Sequence, residues 1–378
     1  MLIDKLKDID NDLENLFSGK KIILYGAGNQ AYICTDLLDY LSLKAEFIIA
    51  RDEYKYHFLP DELILYTLNK IPKDIVKDEY VVLIAVNEKH IPGIIENLNE
   101  LGFSHYAYSM NWLKLNENYR TLCLDDFLES NGCNGDYEVI KHNDFKINYK
   151  SIKDLSYQSM LYSEFFDIIG SSIFNSDRRG DEGPYETDEV RICPNDIVLD
   201  CGANVGMFSC VAASKGACVY AFEPISEVAE FIKENAKLYV PNMINVVIEA
   251  LAESEGEVEF QVLDNTGDNK ATGLSTMVGD ISNYGEIKKR IVHTTTVDRF
   301  VECNEIKRVD FIKADIEGAE RNMLLGATET LKKYAPKLSI CTYHLPDDKE
   351  VLTKIIMDAN PNYKITYGDK KLYAYVKR

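Results

Sequence analysis

The sequence predicts an α/β protein built from two doubly wound units. A smaller Rossmann-like domain is expected at residues 1–112 and a larger one at 181–378, with a linker and lead-in segment at 113–180 between them. Three observations carry this reading. Short apolar runs alternate with longer amphipathic runs in both parts, which is the rhythm of βαβ units and of a parallel sheet. Two of the apolar runs, KIILYGAGNQA at 21–31 and IVLDCGANVG at 197–206, open directly into turns bearing two glycines. The last pair of apolar runs, within YKITYGDKKLYAYV at 363–376, reads instead as a tight antiparallel hairpin turning on Gly368 and Asp369.

Taken in order, residues 2–17 place Leu2, Leu6, Ile9, Leu13 and Leu16 at helical spacing, so an amphipathic helix leads in. Strand-like KIILY at 21–25 precedes a helix at 30–43. AEFIIARD at 45–52 and YVVLIAV at 80–86 read as further strands, and IPGIIENLNELG at 91–102 as a helix ending on Gly102. Residues 113–196 lose the rhythm: NENYR, NGCNGD and NSDRRGDEGPYE are turn-rich or charged, and only YQSMLYSEFFDIIGSSIF at 157–174 reads as helical. Pro194 and Asn195 then punctuate the start of the second alternating region. Strands are expected at 197–201, 217–222, 244–250, 309–314, 338–343, 363–367 and 371–376. Helices are expected at 205–215, 226–239, 318–334 and 348–359. The helix at 226–239 puts Val228, Phe231, Ile232, Ala236 and Tyr239 on one face, a core stripe. A parallel sheet that closes with an antiparallel hairpin is the pattern of the class I methyltransferase fold.

Composition narrows the partners. The net charge is −20, and both parts are acidic: 11 Lys and Arg against 18 Asp and Glu in residues 1–112, and 31 against 44 in the remainder. Neither offers the basic face that a phosphate backbone or an anionic membrane surface requires, so nucleic acid and membrane are not expected as partners. The nine cysteines include no C-x-x-C pair, and Cys201, Cys210, Cys218 and Cys341 sit in apolar runs, as reduced, buried side chains would. The N-terminal MLIDKLKDIDNDLENLF carries acids throughout and is no signal peptide, and no apolar run long enough to span a bilayer follows. A cytoplasmic location is expected.

The turn at 200–206 reads Asp-Cys-Gly-Ala-Asn-Val-Gly, not the pyrophosphate fingerprint G-x-G-x-x-G. Gly202 and Gly206 let a backbone approach a ligand, and the helix that follows adds its positive end. Asp200 would repel a pyrophosphate but suit a cationic amino-acid group and a sulfonium. Glu223 lies 21 residues after Gly202 at the end of the next strand, where a carboxylate accepts both hydroxyls of a ribose. Together these imply S-adenosyl-L-methionine rather than a dinucleotide.

Four stretches then occur in a telling order: VLDCGANVGMFSCVAASKGACVYAFEP, NVVIEALAESEGEVEF, TTTVDRF and VDFIKADIEGAERNMLLGA. With the lead-in DEGPYETDEVRICPND, they resemble the FkbM family of S-adenosylmethionine-dependent methyltransferases over roughly residues 181–345, the run D-I-E-G-A-E being the most specific piece. The resemblance implies methyl transfer to a hydroxyl, commonly on a sugar, glycan precursor or related polyhydroxy metabolite. It implies that Asp200, Gly202, Asn204 and Gly206 line the methionine end of the cofactor, that Glu223 holds the ribose, and that Ala250 and Ala252 lie beside the adenine.

Methyl transfer to a hydroxyl needs an in-line acceptor and a destination for its proton; a base adds ~10²–10⁴-fold. The candidates are Asp315, Glu317, Glu320 and His344, at or just past the ends of the fourth and fifth strands. Asp315 either takes the proton or caps the helix that starts near Gly318. Glu317 and Glu320 are either catalytic or first-turn acids that favour the helix dipole, and His344 is either a base or structural. A divalent ion on Asp315, Glu317, His344, Asp347 and Asp348 is an alternative, but no compact ligand spacing supports it, and a metal-free site is expected. NPNY at 360–363 resembles the adenine-methylating N-P-P-Y but precedes the last hairpin and reads as a turn. The glycine-bearing stretch 264–290 suits either an acceptor-selecting lid, with Ser275 and Thr276 as contacts, or a plain surface loop.

The first turn gives G-x-G-x-x-A at Gly26, Gly28 and Ala31, with Asp52 24 residues after Gly28. It resembles the small Rossmann-like domain ahead of some sugar-modifying enzymes. Three readings stay open: it binds a nucleotide moiety, it mediates homo-oligomerisation or docking to a partner enzyme, or it is a scaffold whose turn needs glycine for geometry alone. The last two are preferred, because nothing else in 1–112 looks catalytic. Rivals to the main reading are a non-catalytic scaffold on the same fold and a nucleotide-sugar-modifying enzyme using the first domain. The latter lacks a Tyr-x-x-x-Lys pair at a sensible place.

Overall fold

The computed structural model describes residues 19–27, 31, 34–35, 38, 43–51, 59–60, 62–86, 90–107, 124, 127–130, 138–174, 184–263, 275–276 and 287–377. The expected lead-in helix at 2–17, Gly28 and Asp52 lie outside them. The chain divides into two compact units, residues 1–127 and 128–378.

The first unit holds a five-stranded parallel sheet. Its strands are β1 (Lys21–Tyr25), β2 (Ala45–Ala50), β3 (Ile64–Thr67), β4 (Tyr80–Ile84) and β5 (Tyr106–Ala107), in the order β3-β2-β1-β4-β5. Because side chains alternate across a strand, Ile22 and Leu24 feed one core while Ile23 and Tyr25 feed the other. A strand buried on both faces must be apolar throughout, as YVVLI in β4 is. Helix α1 (Ile91–Glu100) covers one face with Ile91, Ile94 and Leu98. Of the expected helix at 30–43, the described residues Ala31, Cys34, Thr35 and Leu38 are helical and buried. β3 was not expected; its ILYT is only partly covered at the sheet edge and carries little apolar signal.

In the second unit β8 (Ile197–Cys201), β9 (Cys218–Phe222), β10 (Ile244–Val247), β15 (Phe311–Ala314), β16 (Lys337–Cys341), β17 (Lys364–Tyr367) and β18 (Lys371–Tyr375) form one sheet in the order β10-β9-β8-β15-β16-β18-β17. β18 runs antiparallel to both its neighbours, so the terminal hairpin is inserted against β16. The chain winds outward from β8 in one direction and from β15 in the other, which puts the topological switch point between these two strands. Helices α3 (Met207–Ser214), α4 (Ser226–Ala236) and α8 (Asp348–Ala359) lie where amphipathic runs were expected. The helix expected at 318–334 is two, α6 (Glu320–Leu325) and α7 (Thr328–Tyr334), parted where Gly326 packs against the carbonyl of Ala252. β11 (Ala250–Leu251), β12 (Gly256–Leu263), β13 (Ser275–Thr276) and β14 (Ile287–Thr295) make a separate small sheet, and α5 (Val297–Cys303) follows β14. Ser275 and Thr276 are thus strand residues paired to β12; most of the loop reading at 264–290 falls outside the described residues.

The boundary between units lies after residue 127, not 112, and the expected lead-in from 128 onward belongs with the second unit. Buried polar bonds explain why. The hairpin β6 (Val139–His142) and β7 (Phe145–Asn148), followed by α2 (Leu155–Phe165), is stitched to α4. Asn235, fully buried on α4, accepts from the backbone N–H and the side-chain amide of Asn148, each at 2.9 Å, and donates to the carbonyl of Val205 at 2.8 Å. Tyr239 donates its hydroxyl proton to the Lys146 carbonyl at 2.6 Å. Among the described residues no helix is long and apolar enough to cross a membrane.

Candidate active site

The turn after β8 decides where a ligand can go. Gly202 has φ +78°, and a Cβ there would sit 1.9 Å from the carbonyl oxygen of Asp315. Only glycine lets the β8 turn lie against the end of β15. Beyond the carboxyl ends of β8, β9 and β15 a cavity opens, walled by Glu164, Gly202, Asn204, Glu223, Glu249, Ala250, Lys313, Asp315 and Glu317 among others. This is the place where open α/β sheets bind ligands. Five of those walls are acids and one is a lysine, so the cavity suits a cationic ligand.

Of the residues expected to hold a cofactor, Gly202, Asn204, Glu223 and Ala250 meet here. Asp200 does not. Its side chain is wholly buried beneath the turn, with Oδ2 accepting from the Ser209 hydroxyl at 2.6 Å and Oδ1 3.2 Å from Lys313 Nζ. The expected role toward a cationic ligand is therefore corrected: Asp200 is the counter-ion of Lys313. Gly206 is the N-cap of α3 and faces Ile232, and Ala252 is spent on β14 and Gly326.

Glu223 is 7% exposed, and its Oε1 accepts from the Ile225 N–H at 2.9 Å. Burial pushes its carboxyl up to about 7, although the backbone N–H groups of Ile225 and Asn204 and the charge of Lys313 pull the other way. Asn204, at φ +48°, donates to Glu164 at 2.7 Å and leaves its own Oδ1 buried with no hydrogen-bond partner.

The acidic corner gathers all four catalytic candidates. Asp315 follows β15; its Oδ2 accepts from the Tyr185 hydroxyl at 2.6 Å, and its Oδ1 from that of Tyr343 at 3.4 Å. Burial disfavours its charge, but Lys313, His344, Lys371 and the Tyr185 bond outweigh this and hold the carboxyl below its usual range. Glu317 sits at φ +54°, a strained backbone for a non-glycine residue that turns it onto the cavity wall, and its carboxyl is raised by burial. Glu320, the first residue of α6, is fully buried and closes the turn by accepting from the Ile316 N–H at 2.9 Å. His344 Nδ1 lies 3.2 Å from Glu320, and Nε2 lies 3.4 Å from Glu317 and 3.7 Å from Asp315. Burial opposes a charge on its ring, yet the three carboxylates prevail and push the imidazole up to about 11. A ring held protonated has no lone pair for an acceptor's proton, so His344 here is a counter-ion rather than a base. Asp347 and Asp348, named above as ion ligands, are engaged by Arg321 at 2.5 and 2.8 Å.

Sequence reasoning missed Lys313, Glu164 and Tyr185. Lys313 donates to the Gly202 carbonyl at 2.6 Å and pins the turn; burial disfavours its charge, but Asp200 and Asp315 more than restore it. Its signal is legible in retrospect as a lysine inside the otherwise apolar FIKA of a parallel strand. Glu164 and Tyr185 come from segments that carry no βαβ rhythm.

Residues 200–365 match the family described as the methyltransferase FkbM domain. The hexuronic acid methyltransferase AglP of Haloferax volcanii is 26% identical over 174 residues, 46% of this chain and 66% of that protein. The 2-O-methyltransferase NoeI of Sinorhizobium fredii is 25% identical over 152 residues, 37% of this chain and 60% of that protein. The chain thus spans less than two thirds of the length of these relatives. A crystal structure of a methyltransferase FkbM from Methylobacillus flagellatus aligns over 97% of this chain and 94% of its own at 15% identity, with a TM-score of 0.42.

Proposed function

Because this chain carries a methyltransferase FkbM domain at residues 200–365, we propose that it is an S-adenosylmethionine-dependent O-methyltransferase acting on a hydroxyl of a sugar or related polyhydroxy acceptor. The observation that carries the reading is Glu223, a buried carboxylate on the wall of a cavity at the switch point. Two features support the fit of the cofactor: the orphaned Asn204 Oδ1, an acceptor suited to an ammonium group, and the excess of acids around a space open to a cation. Glu223 would hold the ribose hydroxyls, Asn204 and Glu164 the amino-acid end, and Ala250 would leave room for the flat base. When bound, S-adenosylmethionine supplies a methyl group activated by a cationic sulfur.

The chain's own residues do the rest. The cavity wall orients the acceptor, and its two accessible carboxylates, Asp315 and Glu317, stand ready for the hydroxyl's proton. When the acceptor oxygen takes up the methyl, its proton would pass to Asp315 or Glu317 on the wall. The similarity to a hexuronic acid methyltransferase and to a 2-O-methyltransferase supports a sugar acceptor. In the first unit, a Cβ at Gly26 would meet the Ala85 carbonyl at 2.5 Å, so its glycine serves packing with no ligand invoked; a scaffold role is proposed for that unit.

Labelled S-adenosylmethionine offered with a panel of neutral sugars and uronic acids tests the reading. A methyl ether, stable to mild base, is expected. A base-labile methyl ester would move the reaction to a carboxyl group and overturn the hydroxyl assignment.

A further inference from the structure

We propose that Asp315, Glu320 and His344 form a site for one divalent cation of the manganese or zinc type, which holds and acidifies an oxygen of the acceptor. The inference rests on the proposed methyl transfer for its purpose, but not for its geometry. The three side chains lie 5 and 24 residues apart in sequence, too scattered for a spacing motif, and the fold brings one ligand atom of each within 4.8 Å of the others. Two donors bound to one ion at about 2.0–2.2 Å each stand at most about 4.4 Å apart, so small side-chain rotations complete the shell.

Two features distinguish this from a mere acidic cluster. The side chains of Glu320 and His344 are 1% and 9% exposed, and Glu320 Oε2 and both His344 ring nitrogens have no hydrogen-bond partner. Carboxylates flank both ring nitrogens, Glu320 3.2 Å from Nδ1 and Glu317 and Asp315 3.4 and 3.7 Å from Nε2. Asp315 and Glu320 are each also tied from outside, which leaves Glu320 Oε2 without a partner. The Tyr185 hydroxyl holds Asp315 Oδ2 and the Ile316 N–H holds Glu320 Oε1, the outer support that orients metal ligands elsewhere. One imidazole with two carboxylates suits manganese or zinc better than the all-oxygen preference of magnesium, and the ion displaces the proton that the His344 ring carries in its absence.

Asp315 also walls the cavity, so an acceptor oxygen can reach an ion held there. A bound cation lowers the proton affinity of that hydroxyl. The proton then passes to Glu317 on the same wall, while the oxygen gains the methyl and the sulfur keeps the S–C electron pair.

The test uses the full chain, stripped with a chelator and free of cofactor and acceptor, titrated with Mn²⁺ and read by the loss of the free-ion electron paramagnetic resonance signal. One site per chain is expected. Glu320→Gln, which retains the oxygen that accepts from Ile316, and His344→Gln should each weaken it at least 10-fold, while Asp347→Asn, beside the cluster, should leave it unchanged; circular dichroism confirms folding. Binding weaker than about 1 mM, or equal binding by folded Glu320→Gln and His344→Gln, overturns the site. Calorimetry with S-adenosylmethionine on the same stripped protein separates the claims: cofactor binding without Mn²⁺ binding defeats the ion site alone, and Mn²⁺ binding lost in the variants upholds the site even if the cofactor fails to bind.

Discussion

Replacing Glu223 by glutamine should make the ligand-free protein more stable and the cofactor complex weaker, and both effects should depend on pH. The folded carboxyl is pushed up to about 7 from its ordinary 4.5, because burial penalises its charge. A raised folded pKa means that the folded state binds the proton more tightly than the unfolded chain does. The stabilisation is complete below about pH 4.5, is lost as pH rises, and is gone above about pH 7. The shift corresponds to about 3 kcal/mol at 1.36 kcal/mol per unit. Glutamine is neutral at every pH and keeps an oxygen for the Ile225 N–H. Glu223→Gln should therefore gain about 3 kcal/mol at pH 8, several degrees in melting temperature for a unit of this size, and nothing at pH 4.5. Thermal melts from pH 4.5 to 8.5 without ligand measure this. Ribose hydroxyls bind the ionised form, so cofactor affinity of the unaltered protein should fall as pH drops below about 7, and that slope should vanish in the variant. A variant no more stable at pH 8 than at pH 4.5, relative to the unaltered protein, would refute the burial argument.

Three further outcomes are expected. Asp315→Asn should lower kcat ~10²-fold with little change in acceptor KM, measured by initial-rate kinetics, because the lost interaction is made mainly in the transition state. Lys313→Met should cost about 3–5 kcal/mol in denaturant unfolding, since it strands the buried Asp200 charge, and adding Asp200→Asn should recover most of that loss. A fragment starting at residue 128 should bind S-adenosylmethionine in calorimetry as the whole chain does, whereas one starting at 181 should bind more weakly for want of Glu164 and the β6–β7 hairpin.

The large sheet was legible because its strands are buried on both faces. IVLDC, FIKA and KLSIC are apolar runs bounded by turns, and their limits fall within a few residues of expectation. The hairpin at 139–148 was not. Its strands are four residues each, only half of their residues are buried, and the turn at Asn143, φ +53°, follows a polar stretch that reads as linker. Within the site, Glu223 and Gly202 were legible because each follows a strand at a spacing fixed by one βα step. Asp200 sits just as visibly in the motif, yet its partner Lys313 comes from a strand 113 residues away, and sequence alone could not show that the two charges cancel beneath the cavity. Glu164 and Tyr185 were hidden for the same reason: tertiary contact alone places them.

Isothermal calorimetry of the full chain with S-adenosylmethionine tests the central claim most directly, namely that the cavity beyond β8, β9 and β15 holds this cofactor. Saturable binding at one site is expected, with Glu223→Ala weaker by about 1–3 kcal/mol, roughly 5–150-fold, the scale of a lost charge-assisted hydrogen bond. Folded protein that gives no binding heat up to millimolar cofactor, or a folded Glu223→Ala variant that binds as tightly as the unaltered chain, would contradict it.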